Sequence, residues 1–326
     1  MREILNLFAK KPLLVVFEVT KYCNQTCPMC SIPIRKKHRE MGLREIEKVF
    51  KKLRKFGAKE VFLQGGEPLL RKDIFEIMLL LKKLGFSQHL VSNGLLLDET
   101  AFKFLSKNKI GLSVSLDTLD PKKYKKIRGA DCLGKVLLNL SLAKKFRHGR
   151  SWNIHATVSK LNAGEVFDVK RFAEKNGFDF SALPYIYGVG IAGTKREELL
   201  YKKEVLKVFE KLAKQEKDFF KKIAYLEAVK FLRGESIGAC DALRYSIKVD
   251  ETGKLAPCIE MPAFLNLIEE EPEKMFDKKQ LAIVESCSKN TPCFYGCTRS
   301  IGSIAKNKKK VCLHPLQAVS SLKKIL

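Results

Sequence analysis

The 326-residue chain contains no apolar run approaching the roughly 18 residues needed to span a bilayer. Its first segment, Met1 to Lys11, also lacks the apolar core and cleavage site of a secretory signal. Without an export signal, its ten cysteines are expected to be reduced, metal-ligating thiols rather than disulfides, which points to a cytoplasmic protein. Acidic residues are scarce: 36 Asp and Glu stand against 62 Lys and Arg, for a formal charge of +26. Such a balance suits polyanionic or carboxylate-rich partners, anionic membrane or nucleic acid. No dense Lys/Arg block with interleaved aromatics accompanies it, so solvated Lys-rich surface is the first reading and nucleic-acid binding the second. Several catalytic signatures are missing too. There is no Walker loop and no G-x-S-x-G. The five histidines, His38, His89, His148, His155 and His314, form no H-x3-H metal pair, and His155 reads as a packed strand residue.

What the chain does have is cysteine in a particular order. Cys23, Cys27 and Cys30 stand in C-x3-C-x2-C spacing after the apolar run Leu13 to Phe17, which reads as a buried strand. Such a loop can wrap three sulfurs around one face of an iron–sulfur cube. Clusters are normally held by four Cys, so three imply one iron without a protein ligand. A zinc loop, or three unrelated buried thiols, are the alternatives from the triplet alone. Zinc sites favour a second Cys or His pair further on, and none follows before His38.

From Pro12 to about Tyr185, strand-like and helix-like stretches alternate. The strands are expected at Leu13–Val19, Glu60–Leu63, His89–Ser92, Gly111–Leu116, Asn153–Val158 and Phe178–Leu183. Between them apolar residues recur at helical spacing, as in Ile46, Val49, Phe50 and Leu53. Six βα units in a row predict a parallel sheet with right-handed crossovers, an α/β fold of the partial (βα)6 TIM-like barrel type. Sites in such folds lie at the C-terminal strand ends. There the chain carries Cys23 to Cys30, Gly65-Gly66-Glu67-Pro68, Ser92-Asn93-Gly94, Ser113 to Asp117 and Ile127-Arg128-Gly129. Asn93-Gly94 also suits an ordinary turn, and Asp117 a helix cap.

The triplet after the first strand, with Gly65-Gly66-Glu67-Pro68 after the second, resembles the radical S-adenosylmethionine enzymes. The resemblance implies a 4Fe-4S cluster on Cys23, Cys27 and Cys30, with S-adenosylmethionine on the open iron. It further implies reductive cleavage of that cofactor to a 5′-deoxyadenosyl radical, which takes hydrogen from a substrate. Cofactor contacts carried over are Gly65, Gly66, Glu67 and Pro68 around its amino group, and Ser115 and Arg128 at its carboxylate. Asn93 and Asp117 follow near the ribose or strand-end loops. Met29 stands where the family usually has an aromatic residue against the adenine, and it is soft enough for that contact. Asn162 and the Gly188–Gly190 turn match the family's habits in a nonspecific way. A reductant such as flavodoxin or ferredoxin is the implied partner.

Residues 195 to 233 are helical and charged, and read as two linker helices. The organisation expected is therefore a barrel over 1–185, a linker over 186–238 and a small Cys-rich C-terminal domain over 239–326. Glu3 to Lys10 is read as a short amphipathic helix at the barrel's open end rather than an anchor. The last segment carries Cys240, Cys258, Cys287, Cys293, Cys297 and Cys312, with Gly253 five residues before Cys258. This spacing resembles the SPASM extension of the same family, or its shorter twitch variant, which implies one or two auxiliary iron–sulfur clusters. Val284 stands where the SPASM pattern has a further Cys. In the two-cluster arrangement Cys240, Cys258 and Cys297 serve one cluster and Cys287, Cys293 and Cys312 the other, with Asp241 and His314 nearby in sequence. A zinc knuckle is the alternative. Cys132 reads as a plain buried thiol. The family's commonest substrates are peptides and proteins, yet only about a dozen residues precede the first strand, which leaves no room for a leader-binding domain. Other substrates that fit are a carboxylate-rich tetrapyrrole, a lipid or a small metabolite. A non-catalytic metal–sulfur scaffold or nucleic-acid binder is the rival from another class.

Overall fold

Strand β1 (Leu14–Thr20) is apolar over most of its length because it lies mid-sheet with both faces covered, and every residue in it is buried. The computed structural model describes residues 12–32, 36, 38–146, 151–186, 202–238, 240–290 and 293–294. The expected helix over Glu3–Lys10, the Gly188–Gly190 turn, His148, Cys297, Cys312 and His314 lie outside the described residues.

All six expected strands form. β2 (Glu60–Gly65), β3 (Ser87–Ser92), β4 (Gly111–Ser115), β5 (Trp152–Val158) and β6 (Asp179–Pro184) follow β1, each pairing in parallel with the one before. The crossovers carry α1 (Leu43–Phe56), α2 (Ile74–Lys83), α3 (Glu99–Asn108), α4 (Pro121–Arg128), α5 (Leu133–Leu142) and α6 (Val166–Lys175). Helix α1 shows why these helices form: Ile46, Val49, Phe50 and Leu53 make one buried stripe. The Phe50 ring packs 5.0 Å from Phe17 of β1.

Strands β3, β5 and β6 alternate between fully buried and partly exposed residues. The buried set, including Leu90, Ile154 and Ala182, faces the helices. The other set, including His89, Ser113, Ser115, Asn153, His155, Thr157 and Ser181, stays partly accessible. A sheet wound into an incomplete barrel gives this pattern, with a polar inner face that solvent reaches.

Helices α7 (Lys202–Gln215) and α8 (Phe219–Leu232) form a hairpin, and Lys221 of α8 ties it to β6 through the Phe180 carbonyl at 3.2 Å. The chain then returns to the other edge. β7 (Ser246–Val249) pairs in parallel with β1, and β8 (Lys254–Ala256) and β9 (Leu265–Asn266) extend the sheet antiparallel. The strand order is β6-β5-β4-β3-β2-β1-β7-β8-β9. Start of the Cys-rich segment and barrel thus share one sheet. Two buried ion pairs join this edge to β1 and the residue after it: Glu18–Lys248 at 2.9 Å and Lys21–Glu251 at 2.6 Å. Helix α9 (Lys278–Asn290) follows, with Val284 buried in it as a core residue.

Candidate functional site

The three-thiol loop leaves the C-terminal end of β1 and is gripped from several directions. Gln25 is buried and donates to the Tyr124 hydroxyl of α4 at 2.9 Å and to Cys132 Sγ at 3.5 Å. Thr26 Oγ1 donates to the carbonyl of Gly129, the left-handed residue (φ 66°) that ends α4. A side chain at Gly129 would strike the Thr26 backbone, so glycine is required there for contact as well as conformation. Asn93 Nδ2 donates to Asn24 Oδ1 at 2.6 Å. Cys30 N closes a turn onto the Cys27 carbonyl at 2.9 Å, with Met29 inside it. Cys132 thus lies beside the cluster loop, where sequence reading had only a plain buried thiol.

Gly65 and Gly66 are needed for a backbone approach. A side chain on Gly65 would collide with the Thr20 carbonyl, and one on Gly66 with the Tyr22 carbonyl, beside Cys23. The main chains join there through Gly66 N to Thr20 O at 2.8 Å and Glu67 N to Tyr22 O at 2.7 Å. Glu67 is fully buried, and its carboxylate accepts from Asn93 N at 2.7 Å, Ser92 Oγ at 2.9 Å and Leu69 N at 3.2 Å. Burial pushes its carboxyl up to about 7 against those three donors. The side chain expected at a cofactor ammonium therefore fastens the β2 and β3 turns to each other, with buried Pro68 starting the short helical turn behind it.

After β4, Asp117 is fully buried. It accepts from Thr157 N at 2.8 Å and pairs with Arg128 at 2.7 Å, while its own carbonyl accepts from Asn162 Nδ2 at 2.9 Å. It is neither helix cap nor free acceptor. Arg128 also lies close enough to Cys27 for each to feel the other's charge. Burial works against the guanidinium charge, but Asp117 and Cys27 outweigh it and raise its pKa. Its Nε is buried and has no hydrogen-bond partner among the described residues. Ser115 stands at the same strand end, paired across the sheet with His155.

These residues fit the implied groups. Burial pushes the Cys23 and Cys27 thiols up, and the Cys27 charge adds to the rise at Cys23. Yet among the described residues no three Cys, His, Asp or Glu side chains converge tightly enough for one metal ion. Three thiols on one loop at the end of β1 are a donor set that would hold an iron–sulfur cluster with one iron left for another ligand. The orphaned Arg128 Nε beside Cys27 is a donor waiting for an anion such as a carboxylate.

The second thiol set is arranged otherwise. Cys240 N donates to Ser288 Oγ at 2.7 Å, next to Cys287 at the end of α9. Burial pushes Cys258 up to about 12, with Cys240 and Cys293 adding their charges. Cys293 is thereby brought to the Cys240–Cys258 pair, whereas the spacing grouped it with Cys287 and Cys312. Its neighbour Phe294 explains the placement: that ring is buried 5.6 Å from Phe231 of α8.

Sequence reading gave no role to Gln25 or Ser92 inside their motifs, nor to Tyr124, and read His155 only as a packed strand residue. The alternation Asn153, His155, Thr157 on β5 was the available signal, since three polar residues two apart must share a face.

Residues 17–173 match the family described as the radical SAM superfamily. A probable GTP 3′,8-cyclase of Pyrococcus horikoshii is 35% identical over 48% of this chain and 50% of its own length. A GTP 3′,8-cyclase of Campylobacter jejuni is 28% identical over 89% of this chain and 93% of its own. The chain thus spans about half the length of these archaeal relatives. Among solved structures, Streptococcus suis SuiB bound to S-adenosylmethionine superposes with TM-score 0.68 at 18% identity, covering 87% of this chain and 71% of that one. Native anSMEcpe with bound AdoMet and Cp18Cys peptide gives TM-score 0.66 at 22% identity, over 85% and 83%. With the thiol loop, the double-glycine turn and the barrel in place, residues 17–173 carry the domain described as the radical SAM superfamily.

Proposed function

We propose that this chain reductively cleaves S-adenosylmethionine and uses the product radical to take hydrogen from a substrate held at the open, inner face of the barrel. Cys23, Cys27 and Cys30 hold the cluster, and Arg128 with Ser115 receives the cofactor carboxylate. The Gly65-Gly66 backbone lines the amino end, Met29 the adenine, and Asn93 and Asp117 shape the ribose side. A reduced 4Fe-4S cluster with one open iron supplies the electron for the cleavage. The chain's own contribution is to bind, orient and desolvate. The observation that carries this reading is the meeting, at the ends of β1, β2 and β4, of three thiols, a glycine turn and a guanidinium with a free buried donor.

For the substrate, the relatives' names make GTP the first choice, and the +26 charge suits a triphosphate. A peptide oxidised with help from auxiliary clusters on Cys240, Cys258, Cys287, Cys293, Cys297 and Cys312 is the second reading, favoured by six thiols in SPASM-like spacing. A flavodoxin or ferredoxin is the fitting electron donor. Among the described residues no helix is long and apolar enough to cross a membrane, and the unpaired thiols suit a reducing cytoplasm.

The test is anaerobic reconstitution followed by dithionite and S-adenosylmethionine, with and without GTP. Formation of 5′-deoxyadenosine, faster with GTP and carrying deuterium from ribose-labelled GTP, is the expected result. No 5′-deoxyadenosine under any condition rejects the proposal, and formation unaffected by GTP rejects the nucleotide as substrate.

A further inference from the structure

On the inner face of the barrel, three polar side chains of β5 and β6 gather around one hydroxyl. Asn153 Nδ2 donates to Ser181 Oγ at 2.7 Å, and His155 Nδ1 lies 2.9 Å from the same oxygen. The register dictates this meeting. Asn153 and His155 are two residues apart on β5, so they share a face, and His155 pairs directly with Ser181 across the sheet. With Asn153 donating, the Ser181 proton has His155 Nδ1 as acceptor. In that arrangement the imidazole proton sits on Nε2, on the far side of the ring from Ser181.

Two positions are left open. His155 Nε2 has no hydrogen-bond partner among the described residues, and Asn153 Oδ1 is buried without one. An unsatisfied buried carbonyl oxygen is unfavourable, so a donor from a bound molecule would relieve it. The neighbouring wall is satisfied by comparison: His89 Nε2 lies 2.8 Å from Ser113 Oγ, and the His89 ring stacks on Phe62. The open pair lies next to the radical site. Ser115 is opposite His155 on β4, Thr157 two residues on donates to Asp117, and the Arg128 charge that touches Cys27 is also felt by the His155 ring. Burial, with that charge behind it, pushes the imidazole down to about 4, so it is a neutral donor at working pH. At this level β4 and β6 add the serines Ser113, Ser115 and Ser181, and Asp179 opposite Asn153, whose carboxylate accepts from Ser151 Oγ. A neutral donor beside a neutral acceptor matches an uncharged group that carries the reverse pair.

We propose that His155 Nε2 and Asn153 Oδ1 form a substrate-holding pair for an uncharged group with an acceptor beside a donor, such as a guanine edge or a peptide amide. This pair rests on the radical SAM reading above and names the chemistry its substrate presents. Ser181 acts as the positioning residue that fixes the tautomer.

Equilibrium binding to the reconstituted protein with S-adenosylmethionine tests it, using GTP and N-acetyl-Gly-Cys-Gly-amide as probes. One of them binds the parent. His155→Phe and Asn153→Val each weaken it roughly tenfold or more, as loss of a buried hydrogen bond requires. His155→Gln, whose side-chain amide nitrogen stands near the former Nε2, restores most of the affinity, a rescue that a packing role would not give. Ser181→Ala, the mildest change, weakens the same probe by a smaller factor. Which probe responds tells nucleobase from amide. If neither probe binds the parent, or the Phe and Val variants bind as tightly as the parent, the pair is overturned. The same preparation reports 5′-deoxyadenosine: its absence defeats the radical reading, whereas its presence with no probe bound defeats only this inference.

Discussion

The chain carries two sets of thiols, and it holds them differently. Around Cys23, Cys27 and Cys30 the loop is tied to three places: Gln25 and Thr26 to α4 and its cap, Asn24 to the turn after β3, and the Tyr22 carbonyl to Glu67 after β2. Cys240 and Cys258 flank the β7–β8 hairpin, steadied by Ser288 and by the turn from Cys258 to Met261. The first site is pre-organised by the barrel. The second takes its shape from segments brought together around it, so more of its order depends on what it binds. A donor set built before its ligand arrives suits chemistry that must aim at one atom.

The largest expected effect separates the two sets. Cys27→Ala removes a ligand of the pre-organised loop and should lower 5′-deoxyadenosine formation by at least about a thousandfold, to background. Cys258→Ala should leave iron in the first site and retain cofactor cleavage in the absence of substrate. Iron and sulfide analysis of both variants checks this. Equal loss in the two would erase the distinction.

Next comes Arg128. Arg128→Ala leaves Asp117 buried without its countercharge and Cys27 without a nearby positive charge. Losing one partner of a buried pair costs roughly 3–5 kcal/mol, so urea unfolding should shift markedly and cofactor affinity fall. Arg128→Lys should recover stability better than affinity, because an ammonium cannot satisfy two acceptors with a planar fork.

Glu67 gives a smaller, pH-dependent effect. Its folded pKa of about 7 lies above the ordinary value of 4.5. The folded state therefore holds the proton more tightly than the unfolded chain. That stabilisation is complete below about pH 4.5 and is lost as pH rises through 7. The span is on the order of 3 kcal/mol. Urea unfolding from pH 5 to 8.5 should show the decline, and Glu67→Gln should flatten it.

The smallest effect is in order of assembly. Burial raises Cys23, Cys27 and Cys258, and iron ligation needs thiolates, so loading of both sets should slow as pH falls. Hydrogen exchange on loading should change more over 240–290 than over 23–30. The reverse would contradict the contrast drawn between them.

Much of this was legible in the sequence. The six barrel strands and the strand-end position of both motifs follow from period and spacing, because local patterning decides them. The glycines of the second motif were legible as a need for close approach, although the backbone they approach is that of the cluster loop. Long-range meetings were not legible. Nothing in Gln25 names Tyr124, 99 residues away, and the return of β7 to pair with β1 depends on an edge left open by the barrel. Glu67 and Asp117 illustrate another limit. Their residue type signals a charge, but only the fold shows that neighbouring donors already occupy it.

The central claim is that the first cluster keeps one iron open to the sulfonium cofactor. Electron paramagnetic resonance of the dithionite-reduced, anaerobically reconstituted protein tests it most directly. Adding S-adenosylmethionine should change the spectrum of the cluster on Cys23, Cys27 and Cys30, with 5′-deoxyadenosine appearing on turnover. A spectrum identical with and without the cofactor, from protein shown to contain iron and sulfide, would contradict the account.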